Sequence, residues 1–152
     1  MFLFRNFYSQ LSIMKRILIL FAAFLITSTA VFSQAKPYNV VFDITTSDTA
    51  THQRVIRWIN GIIEAYPDAK ISVVFYGKSL PMVQTKLSSV SEDVKKLAGG
   101  KNVTFSVCEH AMKVFNVDKS MLLPGVKTVP DGIYELIVKQ ADGYGYIKVV
   151  PN

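Results

Sequence analysis

From residue 38 onward, apolar and polar positions alternate in a regular order of strand and helix patterns. Tyr38-Asn39-Val40-Val41-Phe42-Asp43-Ile44 is a short apolar, β-branched and aromatic run, the signature of a buried strand. A polar stretch from Thr45 to Thr49 follows, with several residues able to cap a helix. Val55, Ile56, Ile59, Ile62, Ile63 and Tyr66 then recur on one helical face, with Arg54, Arg57, Asn60 and Glu64 on the other. This spacing predicts a helix from about Ala50 to Tyr66, ended by Pro67-Asp68. Ile71 to Tyr76 reads as a second buried strand that stops at Gly77. A short helix is expected over Leu80–Leu87, entered at Pro81. Ser89-Val90-Ser91-Glu92 has the spacing of a capping box and opens a further helix that ends at Gly99-Gly100. Val103–Val107 is a third strand, Cys108–Phe115 reads as helical, and Val126–Val129 fits a short fourth strand. Pro130-Asp131-Gly132 leads into a helix near Ile133–Gln140, and Asp142-Gly143 turns the chain into a last strand, Tyr144–Val149.

Strands that alternate with helices argue for a mostly parallel sheet with helices on both faces. In such sheets, sites form outside the carboxyl ends of the strands. Those ends are Asp43–Asp48, Gly77–Ser79 and Cys108–His110.

The first 33 residues follow another rule. Lys15 and Arg16 precede an apolar run from Ile17 to Phe32 whose far end is interrupted by small residues. A basic start, a short apolar stretch and a small residue at the cut describe a secretory signal, with Gln34 as the first mature residue. Met14 is an alternative start. The competing reading is an uncleaved anchor, but a spanning helix usually needs about 20 apolar residues. The expected organisation is therefore a signal peptide over 1–33 and one exported, periplasmic-type domain over 34–152, with no membrane attachment after cleavage.

Composition narrows the function classes. The formal charge of +6 includes Arg5, Lys15 and Arg16 from the leader, so the domain itself carries only +3. That is too mild and too evenly spread to argue for nucleic acid. A single cysteine, Cys108, rules out a disulfide scaffold or a cysteine-based zinc cluster. Gly77-Lys78-Ser79 resembles the end of a phosphate loop, but Ser72 stands where its first glycine must be. His52 and His110 have no partners at metal-ligand spacing and are expected to be partly exposed; no metal or other cofactor is expected. Asp43 and Asp48 could form an acid pair, although helix capping and loop solvation explain them more simply.

Cys108 is the informative residue. It ends the third strand where a helix begins, and the first-turn N–H groups and helix dipole there favour a thiolate. Glu109 opposes that effect, and His110 could assist the thiol. Burial as a small inert hydrophobe is the alternative, and the two readings stay open.

Val103-Thr104-Phe105-Ser106-Val107-Cys108, the stretch Val129-Pro130-Asp131-Gly132-Ile133-Tyr134-Glu135-Leu136-Ile137-Val138-Lys139-Gln140, and Gly143-Tyr144-Gly145-Tyr146-Ile147 together resemble the DsrE/DsrF-like (YchN-like) family. Val73-Val74-Phe75-Tyr76-Gly77 matches its apolar strand followed by glycine. The resemblance implies a three-layer α/β/α, DsrEFH-like fold with a five-stranded, mostly parallel sheet, and homotrimers or related hexameric rings. It also implies sulfur relay through a persulfide, with Cys108 at the carrier position and donor and acceptor unspecified. On this reading Cys108 and His110 carry the chemistry, and Asp43, Asp48, Gly77, Lys78 and Ser79 wall the pocket. The alternative is a non-catalytic oligomeric binding or scaffold module in which Cys108 is buried and inert.

Overall fold

The computed structural model describes Lys15 and residues 37–151. Apart from Lys15, the expected signal peptide of residues 1–33 lies outside the described residues, as does Gln34. Among the described residues, no helix is long and apolar enough to cross a membrane.

Five strands form one sheet: β1 (Asn39–Ile44), β2 (Lys70–Phe75), β3 (Val103–Cys108), β4 (Lys127–Val129) and β5 (Gly145–Val149). Their spatial order is β4-β3-β2-β1-β5, and every neighbouring pair is parallel. The helices are α1 (Thr49–Ala65), α2 (Ser91–Ala98), α3 (Glu109–Val114) and α4 (Gly132–Ala141), with 3₁₀ turns at Gly77–Val83 and Lys119–Met121. The three-layer α/β/α fold expected from the alternating pattern is the one observed.

The handedness of parallel connections decides which helix covers which face. From β1 through β4 the chain steps in one direction across the sheet, so right-handed crossovers keep their helices on one side. β5 then lies at the far edge, beyond β1, and the same rule carries α4 across the opposite face. There α4 packs over β1, β2, β3 and β5.

The two faces differ accordingly. Val40, Phe42 and Ile44 on β1 stand level with Ile71, Val73 and Phe75 on β2 and with Val103, Phe105 and Val107 on β3. This face packs with Val55, Ile56 and Ile59 of α1 into the main core, where the Phe75 and Phe105 rings stack 6.0 Å apart. The opposite face carries a thin apolar cluster of Val41, Val74 and Leu136 from α4, flanked by Tyr76 and Tyr144. Asp43, Ser72 and Ser106 share that face by strand alternation and are buried in it. A sheet covered on both sides normally reads as apolar throughout, so these polar positions mark the face where the site lies.

Several local expectations change. The helix placed at Leu80–Leu87 is instead a 3₁₀ segment over Gly77–Val83, with Pro81 inside it. Gly77 starts it at φ +59, and Ser79 Oγ bonds the Ile44 and Tyr76 carbonyls at 2.7 and 2.8 Å, which draws the turn forward. The capping box at Ser89 does not form: Val90 is the residue before α2 and no side chain caps it. Ser88 Oγ accepts from Val90 N instead, at 3.2 Å. His52 is fully buried rather than partly exposed, because it falls on the inner face of α1 beside Val55 and Ile56.

Candidate functional site

At the carboxyl ends of β3 and β4 the following helices leave toward opposite faces: α3 stays with the main core and α4 crosses to the other side. Such a divergence marks a switch point, the place at which α/β sheets bind ligands. Cys108, paired in register with Val129 of β4, occupies it. It closes β3 and immediately precedes α3. The first residue of α4, Gly132, lies against it: a Cβ built there would come 3.0 Å from Cys108 Cβ and 3.4 Å from Val74 Cγ1. Glycine at this position lets the start of α4 close over the cysteine, which is only 6% exposed.

Next to Cys108, on the same sheet face, is a polar cluster centred on Asp43 (β1), whose side chain is 3% exposed. Tyr76 and Tyr146 donate to its Oδ2 at 3.0 and 2.6 Å. Lys148 Nζ reaches Oδ1 and Oδ2 at 3.0 and 3.1 Å and Thr45 Oγ1 at 3.3 Å, and passes 5.4 Å from the Tyr76 ring centre. A buried carboxylate is costly unless paired and hydrogen-bonded, and this one is both. Parallel register explains the grouping: Asp43 stands opposite Lys148, with Tyr146 two residues earlier on the same side of β5. Burial, reinforced by the charge of and hydrogen bond to Asp43, pushes Tyr76 up to about 12. The hydrogen bond to Asp43, followed by burial, takes Tyr146 up to about 12 as well. Both hydroxyls therefore stay protonated as donors at neutral pH. Cys108 is the last and smallest of the contributors to the Tyr76 shift.

The other sequence-derived candidates are distributed differently. Asp48 does not join Asp43; it caps α1, accepting from Thr51 N at 2.8 Å, and the Thr51 bonds hold its carboxyl below the usual range. Ser79 is buried with its hydroxyl committed to two carbonyls, and Lys78 is exposed. His110 is exposed on the first turn of α3 and makes no hydrogen bond to Cys108. Glu109 is drawn away from the thiol, accepting from Thr128 at 2.8 Å and pairing with Lys119 at 3.1 Å. These two partners hold its carboxyl below the usual range.

Tyr76, Tyr146 and Lys148 were not anticipated as site residues. A faint signal exists in the last strand, where Tyr146 and Lys148 alternate with Ile147 and Val149. Only the pairing of β5 with β1 shows that this polar side meets Asp43.

No curated protein matches the chain. Among solved structures, it is similar to a protein of unknown function, MTH1491, from Methanobacterium thermoautotrophicum. The identity is 28%, covering 73% of this chain and 98% of that one, with a TM-score of 0.68. The model of the DsrE/DsrF-like family matches residues 39–149, the span from the first residue of β1 to the last of β5 that builds the sheet and holds Cys108; the chain belongs to that family.

Proposed function

We propose that the protein is an exported sulfur carrier that holds sulfane sulfur as a persulfide on Cys108. The observation that carries this reading is the position of Cys108 at the switch point, between the starts of α3 and α4 and on the same sheet face as the Asp43 cluster. Membership of a family associated with sulfur relay supports it. In the loading step the thiol first gives its proton to solvent. The Cys108 thiolate then attacks the outer sulfur of a donor persulfide, R–S–SH. A new S–S bond forms at Cys108 as the donor's S–S bond breaks, leaving Cys108–S–SH and RS⁻, with no external oxidant. Attack by an acceptor thiolate on the outer sulfur reverses the exchange. Tyr76, with the hydroxyl–carboxylate network behind it, lies with Cys108 against Gly132. Export rests on the leader pattern, and assembly as a trimer on the family resemblance.

A second reading, an oligomeric binding module with an inert Cys108, is favoured by the burial of that residue. Polysulfide incubation followed by intact-mass measurement separates the two. The carrier gains whole sulfur atoms in the wild type and none in Cys108→Ala, and the native thiol alkylates without denaturant. A thiol that reacts only after unfolding establishes the second reading. Light scattering at micromolar concentration should give a multiple of the protomer mass. Amino-terminal sequencing of exported material should begin near Gln34. Recovery of residues 17–32 in membrane-bound protein overturns cleavage.

A further inference from the structure

Away from Cys108, an aromatic groove of about 420 Å³ lies between α1 and the β1–β5 edge. Tyr38 and Tyr66 stack with centroids 4.7 Å apart at its mouth, and Trp58 lies over Phe42 at 6.2 Å. Trp58 and Tyr66 are 41% and 52% exposed, and Ile147 of β5 is 37% exposed at the groove wall. Gly61 leaves its part of the α1 surface open, since a Cβ there would meet nothing within 4 Å. Arg57 lines the groove, makes no ion pair or hydrogen bond among the described residues, and no acidic residue lines it.

The strand beside this groove is unguarded among the described residues. There β5 is an edge strand, bonded to β1 on one side only. Edge strands are commonly protected by a charged side chain or a proline. The one charge in β5, Lys148, is drawn across the sheet by Asp43, and Pro151 lies beyond the strand end. The free backbone edge and the groove meet at Ile147. An added strand would thus set alternate side chains into the groove while its main chain pairs with β5.

We propose that the β5 edge and this groove form a docking site for an extended segment of a partner protein. That segment carries apolar or aromatic side chains at alternate positions and a carboxylate that reaches Arg57. Charge selects this occupant over a second β5 strand. Gly145-Tyr146-Ile147-Lys148-Val149 brings no acid to Arg57.

Trp58 is the only tryptophan, so its emission reports occupancy of the groove in the full chain. The probe is an end-capped eight-residue peptide in which valine and phenylalanine alternate with glutamate and threonine. Its addition should shift Trp58 emission to the blue and saturate, with a dissociation constant of roughly 10–100 μM. Methylating alternate peptide amides should weaken binding about tenfold or more, by removing the main-chain bonds. Arg57→Glu should weaken it about tenfold, and a peptide with lysine in place of glutamate should restore binding to that variant. Absence of a saturable shift overturns the proposal. So does equal binding of the methylated peptide, or no effect of Arg57→Glu. Trp58 emission that changes with protein concentration without peptide assigns the groove to a second copy and also overturns it.

Discussion

Replacing Lys148 with methionine removes the one cation that, among the described residues, binds a carboxylate whose side chain is 3% exposed, while leaving that carboxylate in place. Two contacts of 3.0 and 3.1 Å are lost, and the Tyr76 and Tyr146 hydroxyls remain as donors. A hydrogen bond to a charged group contributes about 1.5–3 kcal/mol. The lysine side chain is 40% exposed, so water screens the pair and reduces that value. We expect Lys148→Met to cost about 1–2 kcal/mol. Equilibrium unfolding in urea, followed by Trp58 emission, measures it. With a slope of about 1–3 kcal/mol per molar, the midpoint should fall by roughly 0.3–2 M. The cause is tested by repeating the substitution in Asp43→Asn, where the amide oxygen still accepts from a tyrosine but the buried charge is gone. There Lys148→Met should cost at least about 0.5 kcal/mol less than in the wild type. A single-variant cost below about 0.5 kcal/mol, or an equal cost in both backgrounds, refutes the view that Lys148 balances a buried Asp43 charge.

Two further predictions concern buried groups. His52 Nε2 donates to the Thr46 carbonyl at 2.8 Å, which leaves the buried Nδ1 without a partner among the described residues, and burial lowers the imidazole below its ordinary 6.5. As pH falls, the unfolded chain therefore takes up the proton first. The stability contribution is complete above about 6.5 and is lost progressively as pH drops toward the folded value. Urea midpoints between pH 7.5 and 5 should fall in the wild type and fall less in His52→Gln; parallel slopes refute this. Gly132→Ala should cost about 1–2 kcal/mol, because its new Cβ meets Cys108 Cβ at 3.0 Å. Thermal unfolding should show that loss undiminished in a Cys108→Ala background, where that Cβ remains, and relieved in Cys108→Gly.

Much of the architecture was legible because its signals are local. The apolar runs of β1, β2 and β3, the stripe through Val55, Ile56 and Ile59, and the glycines after Ala98 each lie within a few residues. Such periodicities reflect which side chains leave water, and they survive without knowledge of neighbours. Strand–helix alternation then implied a parallel sheet. The position of Cys108 at the end of β3 was also readable, because the strand stops where the next helix begins.

Shorter-range competition blurred the details. Ser89 and Glu92 have capping-box spacing, yet Ser88, one residue earlier, bonds Val90 N and the Met82 carbonyl, and no side chain caps α2. Asp48 and Asp43 are five residues apart in sequence but face different tasks. One caps α1, and the other turns inward from a strand.

The sequence alone determined the order of elements, the main apolar core, the single thiol and the family to which the chain belongs. The tertiary structure decided that β5 lies beside β1, which sends α4 across the second face and sets its first residue against Cys108. It also brought Lys148 and Tyr146 to Asp43 from more than 100 residues away. The physical reason is that apolar periodicity reports which side of an element is buried. Which strand it pairs with, and in what register, is set by crossover handedness and by the energy of satisfying buried polar groups.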